Sequence, residues 1–192
     1  MVNFIIRLGT LFATSFALQS VAHAATISFH DDVTRNSMQS LVAKVAAASN
    51  AGDRNITIEL DSGGGNLGAA LVANAELKKY RVNTLVKNEC ASSCTVLFAA
   101  GRIRTASRGA NFMFHAVHVE HIDKKLKYNK KKNVNGVTAD QVAQNYAAAW
   151  LRTIRSASPS LANLLDKKRT LTRGDETNFS GAELRSSGYV NN

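Results

Sequence analysis

Residues 55–65 constrain the fold more than any other stretch. Asn55-Ile56-Thr57-Ile58-Glu59-Leu60 alternates with β-branched residues, as a strand does, and runs straight into Asp61-Ser62-Gly63-Gly64-Gly65. Three successive glycines punctuate regular structure, so this segment reads as a tight loop. An amphipathic, alanine-rich helix follows over residues 67–80. The same alternation recurs on both sides. Residues 26–29 read as a short strand, and Asp31 or Asp32 is placed to cap a helix whose apolar positions Met38, Leu41, Val42 and Val45 recur at helical spacing. Strands are expected at 82–86, 103–106 and 111–115, with a helix at 92–100 between the first two. Further on, residues 140–157 form a helical pattern with Val142, Tyr146, Trp150 and Ile154 along one face, 161–168 add a turn or two, and the tail closes through Glu183 and Gly188. Strands alternating with helices imply an α/β domain with a largely parallel sheet. Sites on such sheets gather at the carboxyl ends of strands. The glycine loop, the Cys90-Ala91-Ser92-Ser93-Cys94 turn and His115 all follow or end strands.

The chain has 192 residues, 45% hydrophobic and 20% charged, which suits one globular domain. Its first 24 residues have the character of an export signal: Arg7, an apolar stretch over 8–18, then the small-x-small pattern Ala22-His23-Ala24. The apolar run is short for ~30 Å of hydrocarbon. Cleavage is therefore expected, leaving a domain over residues 25–192 in the periplasm or the medium. No later segment is long and apolar enough for a transmembrane helix. Export would carry Cys90 and Cys94 into an oxidising compartment, where a disulfide can persist; a bridge and two small buried thiols both stay open. A metal site needs more ligands than these two. The formal charge is +10, and Lys124, Lys125, Lys127, Lys130, Lys131 and Lys132 concentrate the excess. No aromatic platform accompanies them, so a solvated loop is expected and no nucleic-acid partner.

A serine is a poor nucleophile until a base lies within hydrogen-bond reach. Its attack creates an oxyanion, which backbone N–H groups at a glycine loop or helix start can hold. Alone, Ser92 and Ser93 could be nothing more than helix caps. Combined with the glycine loop and His115, they acquire a chemistry.

Asp61-Ser62-Gly63-Gly64-Gly65, then Cys90-Ala91-Ser92-Ser93 running nine residues to Gly101, then Phe112-Met113-Phe114-His115, resemble the Clp protease proteolytic subunit family of the ClpP/crotonase superfamily. Exported relatives with Cys-Ala-Ser-x-Cys are especially similar. The resemblance implies a ClpP/crotonase-like ββα superhelix, with Ser92 as nucleophile, His115 as base, and Gly65 and Ser93 as oxyanion donors. It puts Glu176 on the triad acid, with Asp175 as a neighbouring substitute and Asp166 a distant third. It implies a serine peptidase acting on peptide, protein or other acyl substrates, without a cofactor. Gly63 stands where the family has proline, and the 124–132 lysines stand where it has the handle that builds rings. A homo-oligomer therefore stays open. No ATP-driven partner is expected, because exported compartments lack ATP.

Other readings compete. Gly63-Gly64-Gly65-Asn66-Leu67-Gly68 also satisfies a dinucleotide fingerprint, with Glu89 placed 21 positions beyond Gly68 as a ribose-binding acid. His115, His118 and His121 beside Glu120 invite a metal, but three-residue spacing on a strand turns alternate side chains to opposite faces, so none is expected. His30 is expected at the surface. A binding or scaffold protein could also keep the fold without the reaction, as the crotonase branch manages without serine or histidine.

Overall fold

The computed structural model describes residues 24–118, 138–173 and 176–192. The export signal, the lysine run, Glu120, His121 and Asp175 lie outside them. Among the described residues no helix is long and apolar enough to cross a membrane.

Parallel strands cannot be joined by tight turns and need crossovers, usually helical. The first half of the chain obeys this. β1 (Thr26–Phe29), β2 (Thr57–Ser62) and β3 (Asn83–Ala91) pair in parallel, linked by α1 (Arg35–Asn50) and α2 (Leu67–Lys79). α1 is capped by Thr34, not by Asp31 or Asp32: Thr34 Oγ1 accepts from Ser37 N at 3.0 Å while Ser37 Oγ accepts from Thr34 N. That reciprocal box needs a partner three residues on, at the third helical position, and Ser37 stands there for Thr34. Asp31 serves instead through its carbonyl, which accepts from Ser62 Oγ at 2.7 Å.

β3 is longer than expected. It pairs with β4 (Arg104–Ala106) through Thr84, Leu85 and Val86, then with β5 (Asn111–Phe114) through Glu89, Cys90 and Ala91. The added residues Lys87, Asn88 and Glu89 are exposed and polar, which is why no apolar run announced them; Lys87 pairs with Glu59 at 2.8 Å and Asn88 with Asp61 at 2.8 Å. α3 is correspondingly shorter, Cys94–Phe98 rather than 92–100, because Ser92 takes a left-handed backbone with φ of 54° that a helix cannot include. The remaining elements are α4 (Ala139–Ala157), α5 (Pro159–Lys168), β6 (Thr177–Ser180) and α6 (Gly181–Ser186). The six-stranded sheet runs β1-β2-β3-β5-β6, with β4 beside β3, and only β5–β6 is antiparallel. β6, with Phe179 its one apolar residue, had no alternation to reveal it.

The core joins the sheet to the helices through aromatic side chains. Phe98, Phe112, Phe114 and Tyr189 form a cluster with ring centroids 5.0–6.4 Å apart, and Trp150 stacks on Phe114. On α4, Trp150 and Ile154 are buried as expected, whereas Tyr146 is exposed. The C-terminal residues are held by Arg104, which is buried and among the described residues has no carboxylate partner. Its guanidinium donates to the carbonyls of Tyr189 (2.7 Å), Gly101 (3.0 Å), Ala157 (3.1 Å) and Gly188 (3.2 Å). Arg104→Ala would strand these acceptors and should lower unfolding free energy by about 3 kcal/mol, measured by urea denaturation; an unchanged midpoint would show the tail docks without it.

Candidate active site

The site forms where β3 and β5 end together. Ala91 pairs with Met113, and the ladder continues for one more hydrogen bond, from Ser92 N to Met113 O at 2.8 Å. The chain then leaves the sheet, and the left-handed residue carries Ser92 Oγ toward the strand bearing His115. The Ser92 hydroxyl lies 2.8 Å from His115 Nε2. His115 Nδ1 lies 2.6 Å from the carbonyl of Ala116. A carbonyl only accepts, so Nδ1 carries the proton and Nε2 is left to accept from serine. The pair therefore rests in the tautomer that general-base chemistry requires. Ser92 and His115 are each half-buried. Trp150 meets the imidazole edge-on at 6.1 Å, and His118 stacks on it at 5.6 Å.

A second layer fixes the turn from behind. The carbonyl of Ser92 accepts from Thr95 N at 3.0 Å and from Thr95 Oγ1 at 2.8 Å. Trp150 Nε1 donates to Thr95 Oγ1 at 3.0 Å, and the Tyr189 phenol donates to the Thr95 carbonyl. Burial pushes that phenol far above its usual range, against the opposing pull of Arg104 and the Thr95 hydrogen bond, so it remains a donor. Neither Thr95 nor its two supports could be found from the sequence, since each looks like ordinary core.

The glycine loop packs directly on the serine turn. A Cβ on Gly64 would lie 2.7 Å from Ser92 Cβ, 2.7 Å from Ala91 O and 3.0 Å from Ser93 N. One on Gly65, whose φ is 139°, would lie 2.5 Å from the carbonyl of Val33. Among the described residues neither Gly65 N–H nor Ser93 N–H donates to any acceptor. Both thus have the unspent donor an oxyanion needs, Gly65 exposed and Ser93 buried. With α3 only five residues long, these local amides matter more than a helix dipole. Gly65, Asn66, Leu67, Ser92, His115, His118, Tyr146 and Trp150 line much of a cleft of about 490 Å³.

The structure does not join the expected acid to the base. Glu176 stands one residue beyond the last β5–β6 pair, Phe114–Thr177, so it reaches the strand end beside His115. Its exposed carboxylate makes no hydrogen bond or ion pair among the described residues, and the place at Nδ1 is filled by the Ala116 carbonyl. Asp166 is engaged elsewhere, with Arg155 at 3.6 Å. Cys90 and Cys94 form a disulfide, with 2.03 Å between sulfurs and 5.2 Å between Cα atoms. For the competing readings, Glu89 lies within β3, paired with Asn111, and not beyond the strand as a ribose-binding acid should. Gly65, the fingerprint glycine whose backbone would approach a pyrophosphate, is packed against protein backbone instead, since a Cβ there would lie 2.5 Å from the Val33 carbonyl. The rings of His115 and His118 stack rather than converge on a point, and among the described residues no cluster of three metal-ligating side chains occurs.

A sequence model of the Clp protease family matches residues 14–146, and the chain belongs to that family. No curated protein matches the sequence. The mixed α/β architecture with its mostly parallel sheet is that of a Clp-protease-like protein.

The glycine loop makes a contrast available. Gly64→Ala should cost more than about 2 kcal/mol, because its Cβ has only backbone and Ser92 to displace. Gly63→Ala, with nothing within 4 Å, should leave stability within about 0.5 kcal/mol or raise it. Thermal unfolding of both variants checks this; equal losses would mean the loop does not pack as described.

Proposed function

We propose that this protein is an exported serine peptidase, or hydrolase of related acyl bonds, that works without ATP through an acyl-Ser92 intermediate. The observation that carries the reading is the 2.8 Å contact between Ser92 Oγ and an imidazole nitrogen left free to accept. Ser92 Oγ attacks the substrate carbonyl carbon as its proton passes to His115 Nε2. The carbonyl oxygen becomes an oxyanion facing the N–H groups of Gly65 and Ser93. Collapse expels the amine or alcohol, which takes the proton from His115, and water then repeats the sequence to release the acid. The Ala116 carbonyl sets the imidazole's tautomer, so the resting pair is a dyad, with Glu176, brought to the strand end by the β5–β6 pairing, and its neighbour in sequence Asp175 as the carboxylates that could join it. The family's peptidase character supports a peptide or protein substrate. The disulfide supports residence in an oxidising compartment, with residues 1–24 removed on export.

A second reading has one observation in its favour. Among the described residues no carboxylate bonds to His115, as would suit a protein that keeps the fold and binds partners without turnover.

Labelling with a fluorophosphonate separates the two. Wild-type protein should label covalently, and Ser92→Ala and His115→Ala should each abolish labelling. Glu176→Gln should stay within about threefold of wild type if the carbonyl alone orients the base, whereas loss of a working triad acid costs on the order of 10⁴. Folded wild type that never labels would sink the hydrolase reading in favour of the scaffold. N-terminal sequencing of protein recovered outside the cytoplasm should begin at Ala25; a chain retaining Met1 would overturn export with cleavage.

A further inference from the structure

The Cys90–Cys94 bridge closes a loop of only four positions and straddles the turn that presents Ser92. A cross-link between residues so close in sequence removes far less unfolded-chain entropy than one spanning a domain. As a global staple it is poorly placed. As a local brace its placement is apt, for its ends sit in two rigid neighbours. Cys90 is inside the sheet, paired with Ser62 of β2 on one side and Phe112 of β5 on the other. Cys94 is the first residue of α3, and both cysteines are fully buried. Between them the chain turns left-handed at Ser92, a conformation that persists in a non-glycine residue only when the surroundings over-determine it. The other restraints are the hydrogen bonds of the Ser92 backbone to Met113 O and Thr95 and the packing of Gly64, none of which ties the two flanks of the turn to each other. Ser93 adds one backbone bond, its carbonyl accepting from Val96 N at 3.1 Å, while its buried hydroxyl has no hydrogen-bond partner among the described residues.

We infer that the Cys90–Cys94 disulfide is a positioning element for the nucleophile: it holds the turn left-handed so that Ser92 Oγ stays on His115 Nε2 and Ser93 N–H stays beside the glycine loop. This rests on reading Ser92 as the nucleophile. Because the bridge is buried, it is a standing brace and not a surface switch. Reductant reaches it only when the turn opens.

The test compares three forms of the full chain: oxidised wild type, wild type unfolded and refolded in dithiothreitol, and Cys90→Ala/Cys94→Ala. Dithiothreitol converts the bridge to two thiols as it closes to its own cyclic disulfide, so the second form loses the bond and keeps every side-chain atom. Each form is read by the kinetics of fluorophosphonate labelling and by hydrogen exchange of peptides spanning residues 88–98. Both unbraced forms should label on the order of tenfold more slowly in the maximal rate constant, kinact. The half-saturating probe concentration and the final extent of labelling should not change. Exchange should rise in 88–98 and not in α1 or α2, and reoxidation of the refolded wild type should restore both readouts. A merely structural bridge would lower the extent of labelling and leave kinact alone, which would overturn the inference. So would equal kinetics and equal exchange in all three forms, or failure of both unbraced forms to fold. Oxidised wild type that does not label, with exchange still rising on reduction, would refute the hydrolase reading and leave the brace standing.

Discussion

The backbone at Ser92 is the constraint around which the rest of the site is arranged. A chain that leaves β3 and enters α3 within two residues has to reverse direction sharply, and here one serine does so at φ of 54°. Such a conformation costs about 1–3 kcal/mol and must be supported from several directions. The support is visible. Met113 O takes the Ser92 N–H, Thr95 takes the carbonyl, the disulfide ties the flanks, and Gly64 packs on the outer surface. What the protein gains is a hydroxyl lifted clear of the core and aimed at a neighbouring strand.

Sheet register then decides what the hydroxyl meets. Ala91 and Met113 are direct partners in parallel strands, so Ser92 and His115 follow that pair by one and two residues. A register slip of a single residue would turn His115 to the opposite face and leave Ser92 against Phe114 or Ala116. The length of β3 protects this register. Its first half is fixed between β2 and β4, and only its last three residues pair with β5. The extension through Lys87, Asn88 and Glu89 is therefore a spacer that delivers the serine to the histidine strand. Its polarity reflects exposure on the way.

This explains which parts of the site were legible in the sequence. Gly64, Gly65, Ser92 and His115 stand out because each occupies a place few residues can fill: a positive φ, a backbone approach under 3 Å, a hydroxyl at a strand end, an imidazole within its reach. The alternation of strands and helices was legible for the same kind of reason, since burial on a parallel sheet demands apolar runs. The start of α3 was misjudged because a Ser-Ser-Cys-Thr run gives no sign of which residue turns left-handed. Thr34 was passed over as a cap because the neighbouring aspartates are equally good caps in isolation. The partner of His115 Nδ1 was invisible in principle. It is a main-chain carbonyl, and every residue carries one.

That carbonyl divides the work of the site unequally. A carboxylate at Nδ1 would both orient the imidazole and stabilise its charge once it takes the serine proton; the Ala116 oxygen does the first fully and the second only as a dipole. In the proposed reaction the imidazolium would have only that dipole to face, while the N–H groups of Gly65 and Ser93 would answer the opposite charge on the oxyanion. The carbonyl also makes the resting dyad self-contained. Among the described residues every hydrogen bond to the Ser92 hydroxyl and the His115 ring comes from residues 92–116, whereas the C-terminal residues act at one remove. Tyr189 braces Thr95, Arg104 secures the tail, and β6 brings Glu176 to the strand end. The Ser92–His115 pair is thus set by a single strand register and a single left-handed residue, and the C-terminal third of the fold stiffens that arrangement without creating it.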